Sequence, residues 1–212
     1  MQVPEIVDDA LDPADKAWAA VPSEKVPLVP VPIEEQPNEY IRTAWRTRPY
    51  GRVAAVDVAA VQRGERLLVR LEWDDSDEPN TEFLDGAGVF FPDAGDSGAP
   101  LTIGSHSAPV RLWAWRDRTP MQEALPAARE LVASGPGAFR AAGLDAGDGE
   151  NEGARPDAVS ALSGGRWAVV IAGDLARAAA AGRMGVVVWD GSNDERAGIG
   201  AVSPNWVPLT VK

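Results

Sequence analysis

The sequence predicts an all-β fold: an antiparallel β-sandwich, jelly-roll-like, with long loops and a few short helices. Three observations predict it. Eighteen prolines and twenty-one glycines in 212 residues suit short strands joined by shaped loops better than helices. Several stretches alternate apolar and polar residues with period two, which places one face of a strand on a core. At least eight such short stretches follow one another without an internal repeat, over a length that one large domain, 1–212, can bury.

Each element has its own justification. Residues 14–20 carry a short helical pattern with Trp18 on it. "VPLVPVPIEEQP" (26–37) alternates proline with β-branched residues, and proline lacks the N–H that a central strand needs, so this is an edge strand or a crossing segment. "GRVAAVDVAAVQ" (51–62) and "RLLVRLEWDD" (66–75) form a hairpin about Arg63-Gly64-Glu65, with Leu67, Val69, Leu71 and Trp73 on one face. "DGAGVFFPDAGD" (85–96) holds a strand ending at Pro92. "APVRLWAWRD" (108–117) places Val110, Leu112 and Ala114 opposite Arg111, Trp113 and Trp115. Residues 120–134 have helical periodicity interrupted by Pro126, and 135–157, rich in Gly, Ala, Asp and Glu, read as an irregular excursion. "RWAVVIAGDL" (166–175) and "RMGVVVWDGS" (183–192) are strands joined by an Ala-rich turn or short helix, and "WVPLTVK" closes the chain as a strand.

Charge and composition exclude several functions. A formal net charge of −12 argues against nucleic acid as a partner, because phosphate binding needs clustered cations. Zero cysteines exclude disulfides, thiolate ligation of iron–sulfur clusters and a thiol nucleophile. No apolar stretch approaches the roughly 20 residues of a membrane span, so the chain is expected not to cross a membrane. The acidic N-terminus lacks an apolar h-region, so it does not read as a secretory signal. The expected compartment is the cytoplasm, with the periplasm or outer membrane face, reached by co-export with a partner, as the alternative. Eight tryptophans against four phenylalanines and two tyrosines suggest interfaces or a ring-shaped ligand.

Taken residue by residue, the chemistry stays sparse. Asp74, Asp75, Asp77, Glu78, Glu82 and Asp85 could offer oxygen ligands to calcium, but they lack the spacing of an EF-hand loop, and turns collect aspartate. Nothing in that spacing selects two of them as a glycosidase pair. The only histidine, His106, lies between Ser105 and Ser107, yet no Gly-x-Ser-x-Gly elbow accompanies it. No glycine-rich phosphate cradle is present. These residues describe a non-catalytic β-sandwich with a Trp-lined surface or pocket.

Four segments in order add a resemblance. They are "RLLVRLEWDD", "FLDGAGVFFPD", "IGSHSAPVRLWAWRD" and "VVVWDGSNDERAGIGAVSPNW". From about residue 10 to the C-terminus the chain resembles the haem b-binding gamma subunits of ethylbenzene dehydrogenase, dimethylsulfide dehydrogenase, chlorate reductase and selenate reductase, of DMSO reductase-type molybdoenzyme complexes. In that family a β-sandwich holds haem b between a methionine and a lysine. It passes electrons beside an iron–sulfur subunit and a molybdopterin catalytic subunit. The methionine position, just before Gly104, is Ile103 here, and the lysine position, three before Ser203, is Gly200. Neither side chain can ligate iron. His106 and Met121 are the substitute ligands on offer, with Met184 also available, and Trp113, Trp115, Trp189 and Trp206 are expected to wall the emptied pocket or to pack against partner subunits.

The resemblance therefore implies a non-catalytic gamma-type accessory subunit of a molybdopterin/iron–sulfur oxidoreductase complex, structural in role, that binds no cofactor or metal itself. The alternatives are a haem b electron-transfer subunit using substitute ligands, and a carbohydrate-binding or other small-ligand β-sandwich module in which exposed tryptophans stack on sugar rings. A stand-alone hydrolase using His106 is a third reading.

Overall fold

The computed structural model describes residues 1–6, 11–75, 82–93, 95, 98–118, 126–142 and 155–211. In chain order the first elements are β1 (Gln2–Val3), β2 (Glu24–Pro27), β3 (Val29–Pro30), α1 (Glu39–Trp45), β4 (Ala55–Arg63) and β5 (Arg66–Asp74). Next come β6 (Gly86–Pro92), β7 (Val110–Arg116), β8 (Ala128–Ala133), β9 (Phe139–Ala141), β10 (Asp157–Ser163) and β11 (Arg166–Asp174). The chain ends with α2 (Leu175–Ala181), β12 (Arg183–Trp189), β13 (Ala201–Val202), β14 (Val207–Pro208) and β15 (Thr210–Val211).

The expected antiparallel sandwich forms from two sheets. One has the order β10-β11-β5-β4-β2, and the other runs β3-β13-β12-β6-β7-β8-β9 with β14 added beside β12. The short β1 and β15 pair in parallel. The proline-rich segment does both things its sequence allows: β2 is the edge of the first sheet, and two residues later β3 is the edge of the second.

Strand alternation sorts the apolar residues into three layers. Between the sheets lie Leu67, Val69, Leu71 and Trp73 of β5 with Val169 and Ile171 of β11, against Val89 and Phe91 of β6, Trp113 and Trp115 of β7, and Val186 and Val188 of β12. The outer face of the first sheet buries Leu68, Val61 and Val170 under Trp18. Trp18 sits on a 3-10 helix, Lys16–Ala20, whose start Asp15 caps by accepting the Ala17 N–H at 2.8 Å. The outer face of the second sheet carries Phe90, Leu112, Val187, Trp189 and Val202, covered by Ile103 and Val31. Both sheets are thus apolar on two faces, which is why β6 is buried along its whole length.

Two sequence expectations are corrected. Residues 128–133, read as helical, form β8 because β7 offers them a complete ladder, Val110↔Ala133 to Trp115↔Ala128, and pairing outweighs the helix propensity of Ala, Glu and Leu. The excursion expected over 135–157 contains β9, and its last residue opens β10, a strand that hairpins with β11 through Gly164-Gly165. Residues 119–125, with Met121, and 143–154 lie outside the described residues. No helix among the described residues is long and apolar enough to cross a membrane.

Candidate functional site at the Trp189–Trp206 loop

Strand β12 delivers Trp189 to the outer layer, and the loop after it is shaped by carboxylates. Asp190 caps a 3-10 turn, Gly191–Asn193, accepting the Asn193 N–H at 3.1 Å and the Ser192 hydroxyl at 2.6 Å. Glu195 is 1 % exposed and draws the loop onto the segment before β4. Its Oε1 accepts the N–H of Gly51 at 2.7 Å and of Arg52 at 3.3 Å, and Nδ2 of Asn193 at 3.1 Å, while Oε2 accepts the Asp190 N–H at 3.2 Å. Burial raises the Glu195 carboxyl above its ordinary range, and the hydrogen bonds only partly offset this. Arg48 adds a strap, donating to the Asn193 carbonyl at 2.8 Å and to Asp194 at 2.6 Å.

The second and last resembling segments meet at one hydrogen bond. The Gly191 N–H donates to Asp85 at 2.8 Å, and a Cβ at Gly191 would lie 2.3 Å from the Phe83 carbonyl oxygen, so only glycine permits the approach. The Trp167 indole N–H is shared between Asp75 and Asp85, at 3.2 Å to each. Burial pushes the Asp85 carboxyl up to about 6 from its ordinary 3.8, with the nearby Asp75 charge adding to it and the Gly191 and Trp167 bonds opposing it. Between about pH 4 and 6 the folded state therefore holds a proton that the unfolded state releases. The Asp85 contribution favours folding at the lower end of that window and is lost as pH rises through about 6. Asp85→Asn removes this titration, so the melting temperature of the variant relative to the native chain is expected to rise as pH rises across the window. Thermal melts by circular dichroism check this, and a difference independent of pH would overturn it.

Ile103 and Trp189 share the outer layer, and Gly200 lies against Trp189. Ile103 is fully buried in the layer that contains Phe90, Leu112, Val202 and Trp189. It holds φ +65, a conformation that costs a β-branched residue on the order of 1–3 kcal/mol. It is anchored there by the Gly135 N–H, which donates to its carbonyl at 3.1 Å, and by Gly104, where a Cβ would stand 2.6 Å from the Ala133 carbonyl oxygen. At Gly200 a Cβ would lie 2.7 Å from Trp189 Cδ1 and 2.8 Å from the Val188 carbonyl oxygen. The indole of Trp189 is fixed over this spot by its N–H bond to the Ala197 carbonyl, 2.9 Å, and by edge-on packing with Phe139, 6.3 Å between ring centres. Gln36, 2 % exposed, ties the far end of the loop by donating to the Gly198 carbonyl at 2.6 Å. These positions therefore do not fit an iron: one presents an aliphatic chain, and the other has no room for a side chain at all.

The four tryptophans grouped by sequence divide. Trp189 and Trp206 belong to the outer layer, where Trp206 meets Phe90 edge-on at 5.5 Å. Trp113 and Trp115 face the other way, into the inner core, where Trp115 meets Trp73 and Trp167 at 6.2 and 5.1 Å and Trp113 meets Phe91 at 4.6 Å. Met184 is also in that inner core. His106 is exposed, on a turn where Ser105 Oγ accepts the Ala108 N–H at 3.1 Å, while Ile103 three residues earlier is buried. Of the acidic cluster, Asp74 pairs with Arg166 at 2.6 Å, and Asp77 and Glu78 lie outside the described residues. Among the described residues no group of three or more His, Asp or Glu is placed to hold a metal ion. The residues that sequence reasoning missed are Glu195, Gln36 and Gly51. The only signal was a carboxylate inside a glycine-rich loop.

No family model matches the chain. It is 28% identical over 210 residues to a respiratory nitrate reductase haem subunit of Haloferax mediterranei, covering 92% of this chain and 67% of that protein. It is 28% identical over 233 residues to the chlorate reductase gamma subunit of Ideonella dechloratans, covering 95% and 80%. It is 28% identical over 211 residues to the dimethylsulfide dehydrogenase gamma subunit of Rhodovulum sulfidophilum, covering 92% and 73%. These relatives correct the expectation of a cytoplasmic chain, since complexes of this respiratory kind are generally periplasmic or membrane-associated. An acidic first stretch describes those residues, not the place where an assembly works. The relatives are gamma and haem subunits rather than catalytic chains, and with the β-sandwich and the order of the four segments they lead to one conclusion: over more than 90% of its length this chain is similar to the non-catalytic gamma subunits of DMSO reductase-type complexes.

Proposed function

We propose that this chain is the gamma-type accessory subunit of a molybdopterin/iron–sulfur oxidoreductase complex in which the gamma position serves assembly and not electron transfer. The observation that carries the reading is Gly200, whose missing side chain is replaced in space by the Trp189 ring. A lysine there would have to start inside an indole. Ile103, facing the same layer, offers no lone pair. What the family resemblance assigns to a ligand pair is here a packed hydrocarbon layer, braced by Glu195, Asp190 and Asp85 so that the loop keeps its shape without a bound group. Shape retention of this kind suits a chain whose task is to present a fixed surface to its partners.

The sugar-binding alternative loses its support from tryptophan count, because seven of the eight are buried and Trp206 is half-buried, leaving none as an open stacking platform. The test is the oxidised and dithionite-reduced absorption spectrum of the protein purified from its own organism together with whatever accompanies it. The expected result is a stoichiometric molybdenum and iron–sulfur partner and no haem band assigned to this chain. A haem band that follows this chain on separation would overturn the assembly role, and a lone monomer would overturn membership in a complex.

A further inference from the structure

The outer rim of the first sheet is β10, which pairs with β11 on one side and, among the described residues, with no strand on the other. Its hairpin fixes which backbone groups look outward. Ser163 and Arg166 close a two-residue turn, Gly164-Gly165, with positive φ at both glycines, +60 and +74. Such a turn closes on a hydrogen-bonded pair, and bonded and unbonded pairs then alternate along an antiparallel ladder. Asp157, Val159, Ala161 and Ser163 therefore bond β11, while Ala158, Ser160 and Leu162 turn their N–H and C=O groups away from it. The Ala158 N–H agrees, since the Asp157 carboxylate accepts it at 2.8 Å. The side chains of this rim are bare as well: Val159 is 38 % and Leu162 46 % exposed, and Asp157 is the only charged residue in the strand.

The strand is complementary to itself. Set antiparallel to a second β10 with Ser160 on the two-fold axis, every outward residue meets an outward residue: Ser160 meets Ser160, and Ala158 meets Leu162. The larger side chains then face small ones, Leu162 against Ala158 and Val159 against Ala161, and Asp157 faces Ser163 instead of a second carboxylate. Moving the axis to Val159 brings in Pro156, which has no N–H, and moving it to Ala161 sets outward groups against the glycine turn. We propose that this chain pairs with a second copy of itself through β10, joining the two five-stranded sheets into one continuous sheet. Two-fold pairing uses both β10 edges, and the ends left over are the β2 edges, whose Pro27 has no N–H to offer, so association stops at two. Neither the resemblance nor the Trp189 loop enters this inference, and it stands apart from the assembly role.

One strand per copy makes a contact smaller than about 1,200 Å², so a dissociation constant on the order of 10–100 µM is expected. Sedimentation equilibrium of the full chain, at concentrations bracketing that value, tests it. Added salt should tighten the dimer, because each copy carries a formal net charge of −12 and the paired strands supply no ion pair. Ser160→Pro removes the outward N–H at the axis and leaves the β11 ladder whole, and it is expected to weaken pairing by about tenfold or more. Ser160→Cys adds the only thiol to a chain that has none, and mild oxidation should link two copies through it, whereas Ser107→Cys on the exposed His106 turn should stay unlinked. In the native chain the Ser160 and Leu162 amides should exchange more slowly as concentration rises, with Val159 and Ala161 unchanged. A chain that stays monomeric throughout overturns the proposal, as does a dimer that survives Ser160→Pro and does not link in Ser160→Cys. Protection of Ser160 and Leu162 that appears only when a different subunit is added gives the edge to that subunit and also overturns it. The exchange measurement needs no variant and decides the matter even if a substitution prevents folding.

Discussion

Glu195→Ala is expected to lower the stability of the chain by about 2–4 kcal/mol, because it withdraws the acceptor of three backbone N–H groups and one side-chain amide at once. The loss is smaller than four separate bonds would suggest. Gly51 and Arg52 are not fully buried and can turn to water, and removing the carboxylate also relieves the desolvation that raises its pKa. The Asp190 N–H has no such recourse, since Asp190 is buried. The effect should be local before it is global: amide exchange at Gly191–Asn193 should accelerate more than exchange in β11. Glu195→Gln is expected to fall between, because one carbonyl oxygen can keep the Gly51, Arg52 and Asn193 bonds while its amide opposes the Asp190 N–H. Chemical denaturation with exchange measured on the same samples checks both variants, and an alanine variant within about 0.5 kcal/mol of the native chain would show that Glu195 does not hold the loop.

Gly185→Ala is expected to cost about 3 kcal/mol or more, despite adding a single methyl group. Gly185 and Phe90 are direct partners in the β12–β6 ladder, and a Cβ on Gly185 would lie 2.1 Å from Phe90 Cζ and 2.3 Å from Cε2. The ring cannot withdraw easily. It is fully buried, it meets Trp206 edge-on, and it shares its layer with Leu112, Ile103 and Val187. Trimming the ring in the same chain, as Gly185→Ala with Phe90→Leu, should recover part of the loss, so the double variant should be more stable than the two single costs added together predict. Additive costs would mean that the methyl group is accommodated elsewhere and that the two residues are not coupled.

Much of this architecture is legible in the sequence because strand alternation is a local signal. Leu67, Val69, Leu71 and Trp73 read as one face and are one face. Val110 and Leu112 read as opposite to Trp113 and Trp115 and are opposite. What alternation cannot say is which of two apolar faces meets a given loop. With both faces of β7 buried, Trp113 and Trp115 were grouped with Ile103, although the face that meets Ile103 is the one bearing Leu112. Residues 128–133 misled for a different reason: Ala, Arg, Glu and Leu favour helix in isolation, and only the free edge of β7 makes them a strand. The positions Ile103 and Gly200 were reached through resemblance alone, and the Glu195 bonds to Gly51 and Arg52 join residues 144 and 143 positions apart, a distance no local pattern spans.

The crossing segment that edges both sheets has a consequence for how the protein keeps to itself in a crowded cell. Pro27 in β2, Pro30 in β3 and Pro32 just beyond have no N–H to lend, so on this side neither sheet can serve as a template for a stranger's strand. Fibril growth by edge-to-edge stacking is blocked there for the two sheets together, by one short stretch of chain. The vulnerable rims are the opposite ones, β9 and β10, and β10 carries the exposed side chains of Val159 and Leu162. If the chain is made in excess of whatever normally shields it, clumping should begin along β10, and a charged residue at Leu162 is where a protein engineer would place the brake.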